Sequence, residues 1–357
     1  MDASGRGYVA ESSTEREKTS RKWIALWLYV CCAMIFAMVV LGGVTRLTGS
    51  GLSMVEWNPV FGIVPPINEE QWQDVFDKYK VSPEFRKVNL GMDMSGFKQI
   101  FLVEYAHRVL GRLIGIVFFI PLVFFIATRR VPPGLAPKLV AMFVLGGLQG
   151  LLGWYMVKSG LVDNPHVSQY RLTAHFMLAV AIYAYMLWVA FGLWPGRPAE
   201  EPARGILRGL AYGLVALLLL TLTSGGFVAG LKAGMTYNTF PLMDGKLVPD
   251  GLLTLQPWYL NLFENTTTVQ FNHRLMATLV FLTILDLWSM TLAMDAPRRA
   301  RIAIHLLLVA VLAQVTLGIT TLLLQVPIPL ASAHQAGALV LLTITLFSAH
   351  QLRGEPV

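Results

Sequence analysis

The sequence predicts an all-α membrane protein: eight transmembrane helices forming two four-helix halves, related by a pseudo-two-fold axis along the membrane normal. Three observations carry this: the composition, eight apolar runs, and short motifs that recur in the same order in both halves. Of 357 residues, 55% are hydrophobic and 14% charged, with a mean hydropathy of +0.58. An average soluble domain carries about 25% charged residues, so a water-soluble enzyme and a disordered chain are both excluded. A disulfide-stapled module is excluded too, because the only cysteines are the adjacent Cys31 and Cys32, read here as small core residues of a helix. The net charge of +7 does not imply a nucleic-acid partner, since the charges lie between the apolar runs.

A span needs about 20 mostly apolar residues. Such segments lie near 23–46, 100–128, 138–158, 171–194, 208–231, 268–294, 301–325 and 331–350. The first run carries no charge, and the polar residues 1–22 before it read as a flexible cytoplasmic tail. Its acids (Asp2, Glu11, Glu15, Glu17) argue against a mitochondrial transit peptide and for a bacterial inner membrane. Arginine and lysine in short loops set orientation. The tail holds Arg6, Arg16, Lys18, Arg21 and Lys22; loop two–three Arg129, Arg130 and Lys138; loop four–five Arg197, Arg204 and Arg208; loop six–seven Arg298, Arg299 and Arg301. By contrast, loop three–four offers Lys158 and Arg171, loop five–six Lys232 and Lys246, and loop seven–eight none. Both termini are therefore expected in the cytoplasm, and the even-numbered spans run inward from the periplasmic side.

The repeat sets the domain organisation. Glu104-Tyr-Ala-His107-Arg108 opens span two and Gln270-Phe-Asn-His273-Arg274 opens span six. Gln149-Gly-Leu-Leu-Gly153 in span three matches Gln314-Val-Thr-Leu-Gly318 in span seven, and Thr173-Ala-His175 matches Ser332-Ala-His334. Gly42-Gly43 and Gly51 match Gly225-Gly226 and Gly234. Shared apolar composition explains repeated leucine and alanine, but not His-Arg and Ser/Thr-Ala-His in the same order. The expected units are a tail (1–22), a first half (23–196) with an outer loop (47–98), a linker (197–207), a second half (208–350) and a short cytoplasmic tail (351–357). Each half holds four spans, an even number, so the halves share one orientation.

His107, His175, His273 and His334 all fall near the outer end of an inward-running span. Ionisable groups at membrane depth are costly and usually face the interior or a cofactor. Two imidazoles per half, on different helices at one depth, suit axial ligation of one haem in each half. Zinc would ask for a further Cys, carboxylate or histidine, and the second half offers none nearby. His166, His305 and His350 have no histidine partner in the repeat and read as loop or helix-end residues. Gly111, Gly115, Ala179, Ala277 and Ala338 follow the four histidines by about one or two turns. They either leave a low face for a flat macrocycle or serve ordinary helix packing. Arg108 and Arg274 are candidates for haem propionates, with snorkelling to headgroups as the competing reading. Glu104 stands three residues before His107 where the second half has Gln270. A carboxylate there can take up a proton or stabilise positive charge; the alternative is an ion pair with Arg108. The asymmetry points to chemistry in the first half and an electron-handling haem in the second.

At these residues the sequence resembles the haem A synthase family. The likeness extends to Thr45-Arg-Leu-Thr48, Ser50-Gly-Leu-Ser-Met54, Trp57-Asn-Pro59, Gly62 and Pro65-Pro66. It continues through Trp72, Phe76, Tyr79, Pro83-Glu-Phe85, Phe97-Lys-Gln-Ile100, Gly230-Leu-Lys-Ala-Gly234 and Asn238-Thr-Phe-Pro-Leu-Met243, covering about residues 23–350. The resemblance implies oxidation of the C8 methyl of haem O to a formyl, giving haem A for cytochrome c oxidase. It implies that His107 and His175 face the substrate haem, that His273 and His334 ligate a haem b cofactor, and that Glu104 is catalytic. Some members carry a cysteine pair in the first outer loop; residues 47–98 have none. The likeness is thus to the cysteine-free, alphaproteobacterial and mitochondrial-like group, and a thiol step is not expected. Implied partners are a haem O synthase, the cytochrome c oxidase assembly machinery, an unidentified electron donor and the lipid bilayer, with homo-oligomers left open. Two readings from other classes also fit four paired histidines: a di-haem electron-transfer cytochrome of the quinone or ferric-reductase kind, and a haem-binding assembly factor. Within the outer loop, Trp72, Val75, Phe76 and Tyr79 recur at helical spacing. The amphipathic helix they predict either rests on headgroups or caps the porphyrin site.

Overall fold

The computed structural model describes residues 3–56, 64–161, 165–194 and 205–353, with side chains from residue 15 onward. Trp57-Asn-Pro59, Gly62, Asn164, Arg197, Arg204, Asp2 and most of the 197–207 linker lie outside the described residues, as do the side chains of Arg6 and Glu11. The helices are α1 (Ala3–Leu47), α2 (Glu69–Lys80), α3 (Pro83–Lys87), α4 (Met94–Ala127), α5 (Ala136–Gly160), α6 (Gln169–Leu193), α7 (Gly205–Gly230), α8 (Thr266–Ala293), α9 (Arg298–Leu323) and α10 (Ile328–Leu352). Eight of them, all but α2 and α3, are long and apolar enough to cross a membrane. Each falls on one of the eight expected runs.

The tail is a correction. No proline interrupts residues 3–47, and the first span continues upstream as helix to Ala3. Glu17 and Arg21 pair at 3.1 Å along it, a contact between neighbours one turn apart. Several helix starts have local caps that stop fraying at the edge of the apolar layer. Asp93 accepts from Gly96 N at the start of α4, Asn265 accepts from Thr268 N at the start of α8, and proline occupies the first turn of α5 and α10.

Packing falls into two sets of four. In the first, α1 lies against α4 and α6, and α5 against α4 and α6; in the second, α7 lies against α8 and α10, and α9 against α8 and α10. The halves meet through α1 on α10, α6 on α7 and α6 on α10. At that seam Arg46 donates to the carbonyl of Ala229, and the hydroxyls of Tyr183 and Thr343 are 2.8 Å apart. Cys31 and Cys32 are buried free thiols in α1, as the core reading expected.

The amphipathic helix of the first loop packs on the protein. The apolar face of α2 is spent on the protein itself: Phe76 stacks on Phe97 of α4 with ring centroids 4.9 Å apart, and Tyr79 stacks on the same ring at 5.0 Å. Trp72 meets Phe101 edge-on at 5.1 Å. This became possible because α4 begins at Met94, about two turns before the expected span, and so carries Phe97 beyond it.

Candidate haem sites at the histidine-bearing ends of the spans

Each expected histidine lies on the helix that the sequence assigned it: His107 on α4, His175 on α6, His273 on α8 and His334 on α10. Within each half the two histidines stand on helices that share both neighbours: α4 and α6 both lie against α1 and α5, and α8 and α10 both lie against α7 and α9. A glycine on a neighbouring helix abuts every ring. A Cβ on Gly42 would lie 3.1 Å from His107 Cε1, and one on Gly225 would lie 3.2 Å from His273 Cε1. A Cβ on Gly153 would lie 2.9 Å from His175 Cε1, and one on Gly318 would lie 2.8 Å from His334 Cε1. Those glycines are Gly42 and its counterpart Gly225, and Gly153 and its counterpart Gly318. Two turns of α1 and α7 and two of α5 and α9 therefore approach the histidines so closely that no side chain fits between. The second glycine of each pair faces the other half: a Cβ on Gly43 would collide with the Gln335 amide, and one on Gly226 would come within 2.9 Å of Thr173.

The small residues singled out along the histidine helices play a lesser part. A Cβ at Gly111 would touch only Met38 at 3.6 Å, and one at Gly115 would meet nothing within 4 Å. The close approach comes from across the bundle instead. The three histidines without a partner in the repeat lie apart from these glycines. His166 is exposed in a loop. His305 accepts a hydrogen bond from Trp288 Nε1 at 2.9 Å. His350 lies edge-on to Trp188 and Phe191 at the far end of α10.

Glu104 is 3% exposed and accepts four hydrogen bonds. Ser53 Oγ donates at 2.7 Å and Met54 N at 2.8 Å to one oxygen; Arg108 donates at 2.6 and 3.1 Å to the other. Arg108 also donates to the carbonyls of Met54 and Glu56. The second half repeats the arrangement with inverted polarity. Gln270 Nε2 and Arg274 both donate to the carbonyl of Tyr237 at 2.9 Å, and Arg274 reaches Thr239 O as well. In both halves a pair one turn apart thus fastens the outer loop beside the first histidine. Where that loop presents an N–H the sequence has glutamate, and where it presents a C=O it has glutamine. The ion pair weighed for Glu104 and Arg108 is present, and neither arginine points its whole guanidinium away from the loop.

Sequence reasoning missed five participants: Ser53 and Met54, Gln149 and Gln314, and Glu84. Ser53 and Met54 were noticed only as part of a run, and their contact with Glu104 spans 51 and 50 residues. Gln149 and Gln314 approach Nδ1 of His175 and of His334, each at 3.2 Å; their repeat was visible but their target was not. Glu84 of α3 is buried, and its Oε2 has no hydrogen-bond partner. Burial and, secondarily, the charge of Glu104 push its carboxyl up to about 8. Its neighbour Tyr79, donor of a ring to the α2–α4 stack, is pushed up to about 12, chiefly by burial.

The chemistry of the donor set narrows what the site can hold. Among the described residues no group of three or more His, Cys, Asp or Glu side chains could hold a metal ion. Two neutral imidazoles from two helices, with no third protein ligand, fit the axial positions of a haem and not the four-ligand shell of zinc.

Comparison with known proteins agrees with this geometry. Heme A synthase from Nitrosospira multiformis is 54% identical over 353 residues, covering 97% of this chain and 99% of that protein. The Nitrosomonas eutropha heme A synthase is 49% identical over 355 residues, covering 99% and 100%. The Paramagnetospirillum magneticum heme A synthase is 49% identical over 333 residues, covering 92% and 93%. The profile of the COX15-CtaA family, described as cytochrome oxidase assembly proteins, matches residues 25–346. That stretch runs from within α1 to within α10 and takes in all four histidines and the glycines behind them; the chain belongs to the COX15-CtaA family.

Proposed function

We infer that this protein is a haem A synthase, a multi-pass membrane oxidoreductase that converts the C8 methyl group of haem O to a formyl group and so provides haem A for cytochrome c oxidase. The observation that carries the reading is the end-to-end match, through both histidine-bearing halves, to relatives named heme A synthase.

In this reading His107 and His175 would face haem O in the first half, and His273 and His334 would hold haem b in the second. Bound haem b supplies a one-electron carrier between an electron donor and the substrate site. Glu104 is the catalytic carboxylate. It lies one turn before His107 on the same helix face, and the outer loop and Arg108 hold it by four hydrogen bonds. With four donors already on it, the group is better fitted to stabilise positive charge developing on the substrate than to carry a proton away. Gln270, at the equivalent place, brings no charge. Arg274 keeps an Nε without a partner that suits a haem propionate. Arg108 gives two bonds to Glu104 and two to the carbonyls of Met54 and Glu56, so its first duty is to the loop.

The arginine-rich loops favour a bacterial inner membrane with both termini in the cytoplasm and the haem sites towards the periplasm. Partners that follow from the reaction are an upstream haem O synthase, the oxidase assembly machinery downstream and an electron donor. The test is to express the chain in cells that make haem O but no haem A, and to extract the haems. Appearance of haem A supports the reading. Haem O unchanged, with a normal complement of bound haem, leaves a di-haem cytochrome or a haem-binding assembly factor in its place.

A further inference from the structure

The end of the bundle away from the histidines carries a feature that the reaction does not use. Both α6 and α9 pack on α10, and a groove of about 380 Å³ lies where the three helices meet. Its walls are Ile302, Ala303 and Leu306 from α9, Thr343, Ile344 and Phe347 from α10, and Phe191 from α6. On α10, Phe347 follows His334 by thirteen residues, about 20 Å along a helix, so the groove is no part of either histidine pair. It straddles the two halves, because α6 belongs to the first and α9 and α10 to the second.

Such walls suit hydrocarbon. Thr343 is already committed: its hydroxyl donates to the Leu339 carbonyl at 2.8 Å and lies 2.8 Å from the Tyr183 hydroxyl. The only other polar side chain in the lining is Arg299, which is exposed in the first turn of α9. It also borders a recess of about 50 Å³ that shares Phe191 and Phe347 with the groove and reaches Tyr29, Trp194 and Gln351. Arg298 and Arg301 stand beside it in the sequence, with Asp295 just before them. The repeat differs at this place. With His334 set on His175, Ile344 and Phe347 fall on the larger Tyr185 and Trp188, and the Arg353 guanidinium lies over Trp188 at 5.5 Å.

The occupant that matches is long, narrow and apolar, with negative charge at one end. A helix is about 10–12 Å across and rises about 5.4 Å per turn, so the groove takes less than about one turn of a second chain. An acyl chain is narrower, and a bilayer supplies it. Guanidinium forks match phosphate geometry, and basic pockets between spanning helices bind anionic headgroups.

We propose that this groove is a binding site for an anionic phospholipid, with an acyl chain along Phe191, Leu306 and Ile344 and the headgroup at Arg299. Seated between α6 and α9, the lipid joins the two halves at the end opposite the histidines. The site does not depend on the proposed reaction; by the orientation proposed above, its headgroup belongs to the inner leaflet.

The experiment uses the full-length protein purified in detergent micelles, with phosphatidylglycerol as the anionic probe and phosphatidylcholine as the zwitterionic one. Native mass spectrometry counts bound lipid, and thermal unfolding at rising lipid concentration gives the affinity. One arginine near the leaflet is worth roughly fivefold in affinity for an anionic lipid. The wild type is expected to hold one phosphatidylglycerol more tightly than phosphatidylcholine by about that factor. Arg299→Gln is expected to lose about fivefold in affinity for phosphatidylglycerol, with a smaller change for phosphatidylcholine. Leu306→Trp, at an exposed position of the groove wall, is expected to weaken both. Arg208→Gln is the control, an exposed arginine of α7 outside the groove, and is expected to change neither. If Arg299→Gln does not accumulate as folded protein, the wild-type preference and Leu306→Trp decide. Equal affinity for the two lipids in the wild type, an equal loss in Arg208→Gln, or full binding in Leu306→Trp overturns the proposal. A wild type that binds no lipid overturns it too, and a dimer that Leu306→Trp disrupts would then assign the groove to a second copy.

Discussion

Replacing Glu104 by glutamine is the perturbation that separates the two duties its geometry allows. The carboxylate accepts from Ser53 Oγ, Met54 N and twice from Arg108. A glutamine keeps one oxygen for Ser53 and Met54 but turns an NH2 group towards the guanidinium, donor against donor. Breaking one side of a buried ion pair costs about 3–5 kcal/mol, although Arg108 retains the carbonyls of Met54 and Glu56. Loss of a general acid–base or charge-stabilising group costs about 10²–10⁴-fold in rate. About 3 kcal/mol is itself roughly a 10²-fold change in an equilibrium, so the size of the fall alone does not identify its cause. Ser53→Ala supplies the missing comparison. It removes one charge-assisted bond of about 1.5–3 kcal/mol from the loop and leaves the carboxylate in place. The assay is haem A formed at matched protein level, with hydrogen exchange of residues 50–56 measured in parallel. Glu104→Gln is expected to lower haem A about 10²–10⁴-fold with both haem sites filled and haem O accumulating. Ser53→Ala is expected to speed exchange of the loop amides by about 10–10²-fold while haem A falls by less than about tenfold. Near-normal haem A in Glu104→Gln would refute a chemical role, and equal falls in the two variants would reduce Glu104 to a fastener of the loop.

Three further outcomes follow from the same geometry. Gly318→Ala places a methyl 2.8 Å from His334 Cε1 and is expected to abolish the low-spin haem b signal; Gly146→Ala, with nothing within 4 Å of its Cβ, is expected to leave it unchanged and to gain up to about 1 kcal/mol of helix propensity. Burial and Glu104 raise the Glu84 carboxyl from 4.5 to about 8, so the folded cap binds more protons than the unfolded chain between those values. Its contribution to cap stability is fully present below pH 4.5 and is lost as pH rises through about 8. Exchange protection of residues 69–89 is expected to fall over that window in the wild type and to lose most of this dependence in Glu84→Gln; an equally steep fall in the variant would assign it to another group. Reporter fusions at Arg130 and Arg299 are expected to read as cytoplasmic and fusions at Tyr79 and Lys246 as periplasmic, and one inverted signal would require the spans to be recounted.

The spans were legible because a bilayer demands about 20 apolar residues in a row, and a run such as 23–44, with no charge, has few other uses. The histidines were legible through repetition, since His-Arg and Ala-His recur in order where leucine would serve packing equally well. What faces them was not. Gly42 and Gly225 stood out as a repeated pair, yet only the packing of α1 on α4 and of α7 on α8 brings them against His107 and His273. Period and composition marked α2 as amphipathic, but its partner is a ring of α4 that the apolar run did not include. Arg108 and Arg274 were set aside for propionates or headgroups; in the structure each donates to two loop carbonyls, of Met54 and Glu56 and of Tyr237 and Thr239, whose separation in sequence gave no sign of contact. Glu84 sits in Pro-Glu-Phe-Arg-Lys, a polar stretch that reads as surface, and only the aromatic cap folding over it buries the carboxyl.

The central claim is a division of labour between two histidine pairs, one for a substrate haem and one for a resident haem. The most direct measurement is the identity and amount of haem extracted from the purified full-length protein and from two variants, His107→Ala with His175→Ala and His273→Ala with His334→Ala, made in cells that supply haem O. The account predicts haem b together with haem O or haem A in the wild type, haem b alone in the first variant, and loss of haem b with no haem A formed in the second. Haem b bound equally by both halves, or haem A still produced when His273 and His334 are gone, would contradict it.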